Sequence, residues 1–165
     1  MPYIKQERRA ELHDASEWLG QIQPNAIELG YVLLKWVRVY ITPSYNNYKN
    51  YLGELRQCSV ELQRHCWNER IRITPWTEGY NIKSYEVMDG FNKKNTLDEL
   101  VRLMDAANIK VDGDLNYLLF KYIFGQYHYN RGKIDFITMF AELCEYIEDS
   151  ILAPYEETMK SNGDV

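Results

Sequence analysis

The sequence lacks the features that mark secreted, membrane-spanning or nucleic-acid-coating proteins. Its three cysteines form no CxxC pair, which favours reduced thiols over a disulfide framework. No run approaches the roughly 18 apolar residues of a membrane span, and the start has no apolar signal segment. The net charge of −5 does not supply the basic surface that general nucleic-acid binding requires. We therefore expect a cytoplasmic globular protein with no membrane partner and no bulk nucleic-acid partner.

Common catalytic motifs are also missing. The sequence has no GxSxG, P-loop, HExxH or GxGxxG pattern. Cys58, His65 and Cys66 fall near one side of a predicted helix, but no further residue at a recognisable spacing completes a zinc site. The absence of these motifs predicts no metal and no cofactor, and it favours a binding role over catalysis.

What the sequence does contain is a repeat. The ten residues from Glu28 to Val37 resemble the ten from Asp114 to Ile123, which lie 86 positions later. Acid, Leu, Tyr and Lys recur at the same spacing, and the positions between them keep their apolar class. A repeat at a fixed offset indicates an internal duplication and decides how the chain divides.

Apolar residues recur three and four positions apart through most of the chain, which predicts helices. Arg8 is on the predicted outer face of the first helix, and Pro154 is expected to kink or break the last one. The predicted helices cover residues 5–22, 26–40, 45–70, 96–107, 114–127 and 133 onward.

These helices predict an all-α fold made of two three-helix units, residues 1–70 and 96–165. The simplest arrangement packs the units about a pseudo-twofold axis, as one compact domain. Residues 71–95 alternate in polarity around turn residues, so they form either a short β-hairpin or an extended connector.

The repeated helix offers a first candidate site. Glu28, Tyr31 and Lys35 fall within about 60° of one another, away from the apolar stripe. Asp114, Tyr117 and Lys121 do the same in the second copy. These side chains could meet a shared partner; alternatively, the acids cap the helices while Tyr and Lys pack at the interface between the units.

Aromatic residues beside Lys and Arg follow the repeated helix in both units, within a chain that has 14 tyrosines. The first aromatic loop contains Tyr40, Tyr45, Tyr48 and Lys49, and the second contains Tyr127, His128, Tyr129, Arg131 and Lys133. Such residues can stack on a base and pair with a phosphate, although the same loops have ordinary turn composition. Two such loops could hold a cyclic nucleotide, another anionic small molecule or a twofold protein. The predicted ligand-binding residues are Tyr31, Lys35, Tyr45, Tyr48, Tyr117, Lys121, Tyr127, Tyr129, Arg131 and Lys133.

An acidic face on the last helix offers an alternative, catalytic site. Its residues are Glu142, Glu145, Glu148 and Asp149. Helical nucleotide pyrophosphohydrolases bind Mg²⁺ with carboxylates at such spacings. A complete site needs a second pair of carboxylates from another helix, which the sequence does not identify, and a solvated helix face is the competing interpretation.

The chain also resembles a family of small, functionally uncharacterised helical proteins from phage and bacterial genomes. The resemblance is carried by the start Met1-Pro2-Tyr3-Ile4-Lys5, the segment Gly113-Asp114-Leu115-Asn116-Tyr117, and the end, Ala153-Pro154-Tyr155-Glu156 with Asn162-Gly163-Asp164-Val165. Members carry one unit, so the resemblance implies that the unit is duplicated here. It departs at Gly30, where the family has Asn. It implies a phage or mobile-element setting and no established activity.

Three functions remain open at this point. The leading hypothesis is a non-enzymatic accessory or counter-defence protein in the host cytoplasm, which sequesters a signalling nucleotide or occludes a host or defence protein. The second is a Mg²⁺-dependent nucleotide pyrophosphohydrolase. The third is a scaffold that only forms homo-oligomers.

Overall fold

The computed structural model describes residues 4–68, 94–109, 113–126 and 130–163, and the regular structure in those ranges is helical. This confirms the predicted all-α fold. The predicted connector over 71–95 lies outside the described residues, except for its last two positions, which belong to the fifth helix. The helices are α1 (Gln6–Glu11), α2 (His13–Ile22), α3 (Ala26–Val39), α4 (Tyr45–Asn68), α5 (Lys94–Ala106), α6 (Asp114–Gln126), α7 (Asn130–Ile147) and α8 (Ala153–Ser161).

Two helix boundaries in the first half follow from local chemistry. The continuous helix predicted over 5–22 is divided at the buried Leu12, whose φ of −89° and ψ of 0° end α1 and begin α2. Asn25 caps α3 as expected, because its side-chain oxygen accepts a hydrogen bond from the Glu28 amide at 2.8 Å.

The predicted disturbance near Pro154 takes the form of a single π-helical turn, Glu148–Leu152, between α7 and α8. Pro154 then lies in the first turn of α8, where the missing amide proton costs least. The end of the chain therefore continues as helix past the proline, with the change of helical register placed just before it.

The helices of the first half pack on helices of the second half. The most extensive contact is between α4 and α7, and the others join α3 to α5 and α7, α2 to α5 and α6, and α4 to α6. Side chains from α2 to α7 form one hydrophobic cluster, with Tyr51, Phe120, Phe136 and Phe140 among its largest fully buried members. The described residues thus enclose one core that both halves share.

The two copies of the repeated segment have matching exposure. Residues 28–30, 32–34 and 36–37 are buried in α3, and the residues 86 positions later are buried in α6. Tyr31 and Tyr117 are both half-buried. Most of the repeated segment therefore faces the core in both places.

No helix in the described residues is long and apolar enough to cross a membrane.

Candidate binding surfaces

The tyrosine and lysine of α3 hold a carboxylate from α5. The Tyr31 hydroxyl donates to Asp98 Oδ1 at 2.7 Å, and Lys35 Nζ lies 2.7 Å from the same oxygen. The Lys35 and Asp98 side chains keep 32% and 23% of their exposure, so the ion pair is half-buried. Sequence reasoning did not identify Asp98, because nothing in α5 distinguishes it from other polar residues. This first predicted pair is engaged within the molecule.

The corresponding pair on α6 has different surroundings. Lys121 Nζ lies 5.7 Å from the centroid of the Tyr117 ring, the same separation as between Lys35 and the Tyr31 ring. Lys121 is exposed, and within the described ranges its side chain makes no ion pair. Arg9 Cζ lies 5.3 Å from the same Tyr117 centroid. Two cations therefore flank one half-buried tyrosine.

The acids of the repeat are buried, with Glu28 at 5% exposure and Asp114 at 4%. Asp114 Oδ2 accepts hydrogen bonds from Arg8 Nε at 3.1 Å and from Arg8 Nη2 at 2.8 Å. These bonds raise the pKa of the Arg8 guanidinium above its ordinary value. Arg8 also donates to the Asn108 carbonyl at 2.8 Å and thus joins α1 to the region around α6. Arg8 is therefore part of a structural ion pair and not simply of an outer polar face.

The turn between α3 and α4 carries exposed apolar and aromatic side chains. Val39, Tyr40 and Tyr45 keep 58%, 37% and 48% of their exposure, and among the described residues Val60 is the one other large apolar side chain that is as open. Lys49 Nζ lies 5.5 Å from the Tyr45 ring centroid. We call Val39, Tyr40, Tyr45 and Lys49 the α3–α4 corner.

Tyr48, also predicted to bind ligand, lies inside the molecule. It keeps 7% of its exposure, and its ring packs edge-on against Tyr155 of α8 with centroids 5.4 Å apart. Within the first aromatic loop, the structure therefore leaves Tyr45 at the surface and turns Tyr48 toward α8. Tyr45 lies in the first turn of α4, and Tyr48 lies one turn further along, where α8 covers it.

The residues of the second aromatic loop follow α6. Tyr127 and Tyr129 lie outside the described residues. Arg131 and Lys133 belong to the first turn of α7, but their side chains are outside the described part of the chain.

The predicted acidic residues of the last helix differ in exposure. Glu142 is half-buried, whereas Glu145, Glu148 and Asp149 are exposed. Glu148 Oε2 pairs with Arg56 Nη2 at 2.7 Å. In the described ranges, no group of three or more His, Cys, Asp or Glu side chains is arranged to hold a metal ion. The catalytic alternative therefore gains no geometric support.

Two thiols are buried among apolar side chains. Burial raises the pKa of the Cys144 thiol to about 12 and places the pKa of the Cys58 thiol well above its ordinary value. Both remain protonated near neutral pH, so neither is an activated nucleophile.

Comparison with known proteins reaches only the first part of the chain. Residues 1–69 match a family described as "Domain of unknown function (DUF6899)". Over these residues, the match confirms the expectation that the chain resembles an uncharacterised family. No curated protein matches the chain, and no solved structure does.

Proposed function

We propose that the chain is a non-enzymatic binding protein that occludes a partner protein through the α3–α4 corner. The observation that carries this proposal is the exposure of Val39, Tyr40 and Tyr45 at one turn, beside helices whose other large apolar residues are mostly buried. Contiguous exposed apolar surface marks interaction sites, and tyrosine is enriched where proteins bind. Val39 is the most exposed of the three and favours a protein over a nucleotide, because an aliphatic side chain provides no stacking surface.

A nucleotide is the second candidate ligand, and a specific contact favours it. Lys49 lies over the exposed Tyr45 ring, so one position offers both a stacking face and a cation for a phosphate. The biological setting that we propose is a phage or mobile element acting on a host or defence component in the host cytoplasm. It rests on the resemblance of the two termini to small phage proteins.

We propose further that the chain arose by duplication of a three-helix unit and that its halves pack about a pseudo-twofold axis. The helix pairings support this, because exchanging the halves converts each pairing into another one that is present. The contact of α3 with α5 corresponds to that of α6 with α2, and α3 with α7 corresponds to α6 with α4. The α4–α7 and α2–α5 contacts each correspond to themselves.

Burial and backbone conformation give independent support for the duplication. Buried residues of α2 and of the α1–α2 break recur in α5 at an offset of 85, as Leu12 with Leu97 and Leu19 with Met104. Gln23 and Asn108, also 85 apart, have positive φ angles of 45° and 52° and are the described non-glycine residues that do so. Left-handed backbone at such residues is uncommon, so its recurrence at one offset is informative.

The binding proposal is tested with the double variant Val39→Ser, Tyr45→Ser and with Val60→Ser as a matched control. All three side chains are exposed, so folding is retained, and Val60 lies outside the corner. A tagged wild-type chain is used to capture host proteins, and any captured protein is purified and titrated calorimetrically against each variant. We expect the corner variant to weaken binding at least about tenfold, since hot-spot side chains each contribute 2 kcal/mol or more. The control should bind as the wild type does.

Equal binding by the corner variant and the wild type would contradict the proposal. A nucleotide panel run in parallel by thermal shift distinguishes the second candidate, because a ligand at a hundredfold excess over its Kd stabilises by about 2.7 kcal/mol. Stabilisation by a nucleotide that is lost in Tyr45→Ser would replace the protein partner by a nucleotide.

A further inference from the structure

The two tyrosine–lysine pairs of the repeat differ in what they hold. In each pair the lysine Nζ lies 5.7 Å from the centroid of the tyrosine ring. On α3 the pair receives the Asp98 carboxylate, which accepts from Tyr31 and Lys35 through one oxygen. On α6 the same two donor types, Tyr117 and Lys121, have no carboxylate partner in the described part of the chain.

The missing carboxylate is explained by one position. With the offset of 85 that relates α2 to α5, Asp98 corresponds to His13. The His13 side chain is exposed, and its Nε2 lies 3.2 Å from Glu17 on its own helix. Since α2 packs on α6 as α5 packs on α3, the proposed duplication makes His13 the counterpart of the residue from which the first pair receives its anion.

Cationic side chains lie close to Tyr117. Lys121 Nζ is 5.7 Å and Arg9 Cζ is 5.3 Å from its ring centroid. Arg8 is nearby but is paired with Asp114 and Glu11, so the exposed Lys121 ammonium is the charge that attracts an anion to this half-buried phenol.

We propose that Tyr117 and Lys121 bind a carboxylate carried by an aspartate or glutamate side chain of the partner protein. This inference rests on the proposed binding function and names one chemical group that the partner presents. A tyrosine hydroxyl and a lysine ammonium donating to one carboxylate oxygen reproduce what Tyr31 and Lys35 do with Asp98. The internal precedent is a carboxylate, so the site is assigned to a carboxylate and not to a phosphate.

The test uses the full chain and NMR signals of the Tyr117 ring and the Lys121 side chain. The probes are an acetylated tetraglutamate peptide, the matching tetraglutamine peptide and inorganic phosphate, at constant ionic strength. We expect saturable shifts at Tyr117 and Lys121 with tetraglutamate alone and no such response at Tyr31. Tyr117→Phe and Lys121→Gln should each weaken the peptide about tenfold, as expected for loss of a hydrogen bond to a charged group.

A decisive variant supplies the missing carboxylate from within. His13→Asp places an acid where α5 has Asp98, and an acid at the first turn of a helix does not impair folding. The variant should therefore block the peptide, whereas His13→Asn, which has the same size and no charge, should leave binding unchanged.

Three results would overturn the inference: no saturable shift with tetraglutamate, a stronger response to phosphate, or full peptide binding by His13→Asp. These outcomes are independent of the corner variants. If partner capture depends on Val39 and Tyr45 while tetraglutamate does not bind, the binding function stands and the carboxylate site is wrong. If tetraglutamate binds and the corner variants have no effect, the corner is wrong and this site remains.

Discussion

Replacing Arg8 with alanine would remove the cation from a buried carboxylate. Arg8 donates two hydrogen bonds to Asp114 Oδ2, and the two side chains keep 20% and 5% of their exposure. Removing one partner of a fully buried ion pair costs roughly 3–5 kcal/mol. Two features reduce this cost here: Arg8 is partly open to solvent, and Asp114 begins α6, where the helix dipole favours a negative charge.

We therefore expect Arg8→Ala to lower the free energy of unfolding by about 2 kcal/mol, which for a chain of this size is a fall in Tm of about 4–8 °C. Arg8→Lys should lower the free energy of unfolding by less, because lysine keeps the positive charge and loses only the bidentate geometry of the guanidinium. Urea denaturation followed by tryptophan fluorescence and far-UV circular dichroism measures each variant.

Two controls show whether the loss comes from the stranded carboxylate. Arg102→Ala removes an exposed arginine that pairs with Glu99 on the surface of α5, and it should cost less than about 0.5 kcal/mol. The double variant Arg8→Ala, Asp114→Asn removes the buried charge at residue 114 and should recover part of the stability. The reasoning is refuted if Arg8→Ala costs no more than Arg102→Ala, or if the double variant is no more stable than Arg8→Ala alone.

Three further predictions concern the core. Tyr51→Phe should cost about 1 kcal/mol in urea denaturation, because it deletes a buried hydrogen bond of 2.9 Å to the Leu33 carbonyl; no loss would contradict that bond. Cys58 and Cys144 should resist iodoacetamide at pH 8 until denaturant is added, because their raised pKa values keep both thiols protonated. Peptide mapping measures the labelling, and labelling of either thiol in the native protein would contradict this prediction. A chain cut at a protease site inserted after residue 80 should elute from gel filtration as one species, because both halves share a core, and two separately folded halves would contradict this.

Much of the fold could be predicted because helix formation here follows a local pattern. The apolar stripe of α3, from Leu29 to Val37, is spaced for one buried face, and Asn25 supplies the cap where the chain enters the helix. What the pattern does not contain is the shape of local interruptions. The spacing of apolar residues does not mark the break at Leu12, which became visible only in the structure. Pro154 predicted an interruption of the last helix, but not that it would take the form of a π turn.

The candidate site was less predictable because it depends on contacts between distant residues. Tyr31 and Asp98 are 67 positions apart, and Arg8 and Asp114 are 106 apart. The sequence marks all four as polar residues on helices and says nothing about which ones meet. The sequence also did not predict which tyrosine of the first aromatic loop is exposed. Tyr45 and Tyr48 are chemically alike, and Tyr48 is the one that packs against α8.

Under the proposed duplication, the positions where the two copies differ carry more functional information than those where they agree. Agreement at buried positions follows from the shared core, which accepts few alternatives. At Asn116 the amide donates to the Glu54 carbonyl at 3.2 Å, whereas the equivalent residue, Gly30, has no side chain to do so, and this difference concerns packing. The change from Asp98 to His13 is of another kind, because it accompanies a Tyr117–Lys121 pair that has no carboxylate partner in the described part of the chain. Under the proposed carboxylate site, the α3 pair joins the two halves through Asp98, and the α6 pair is the one that meets the partner.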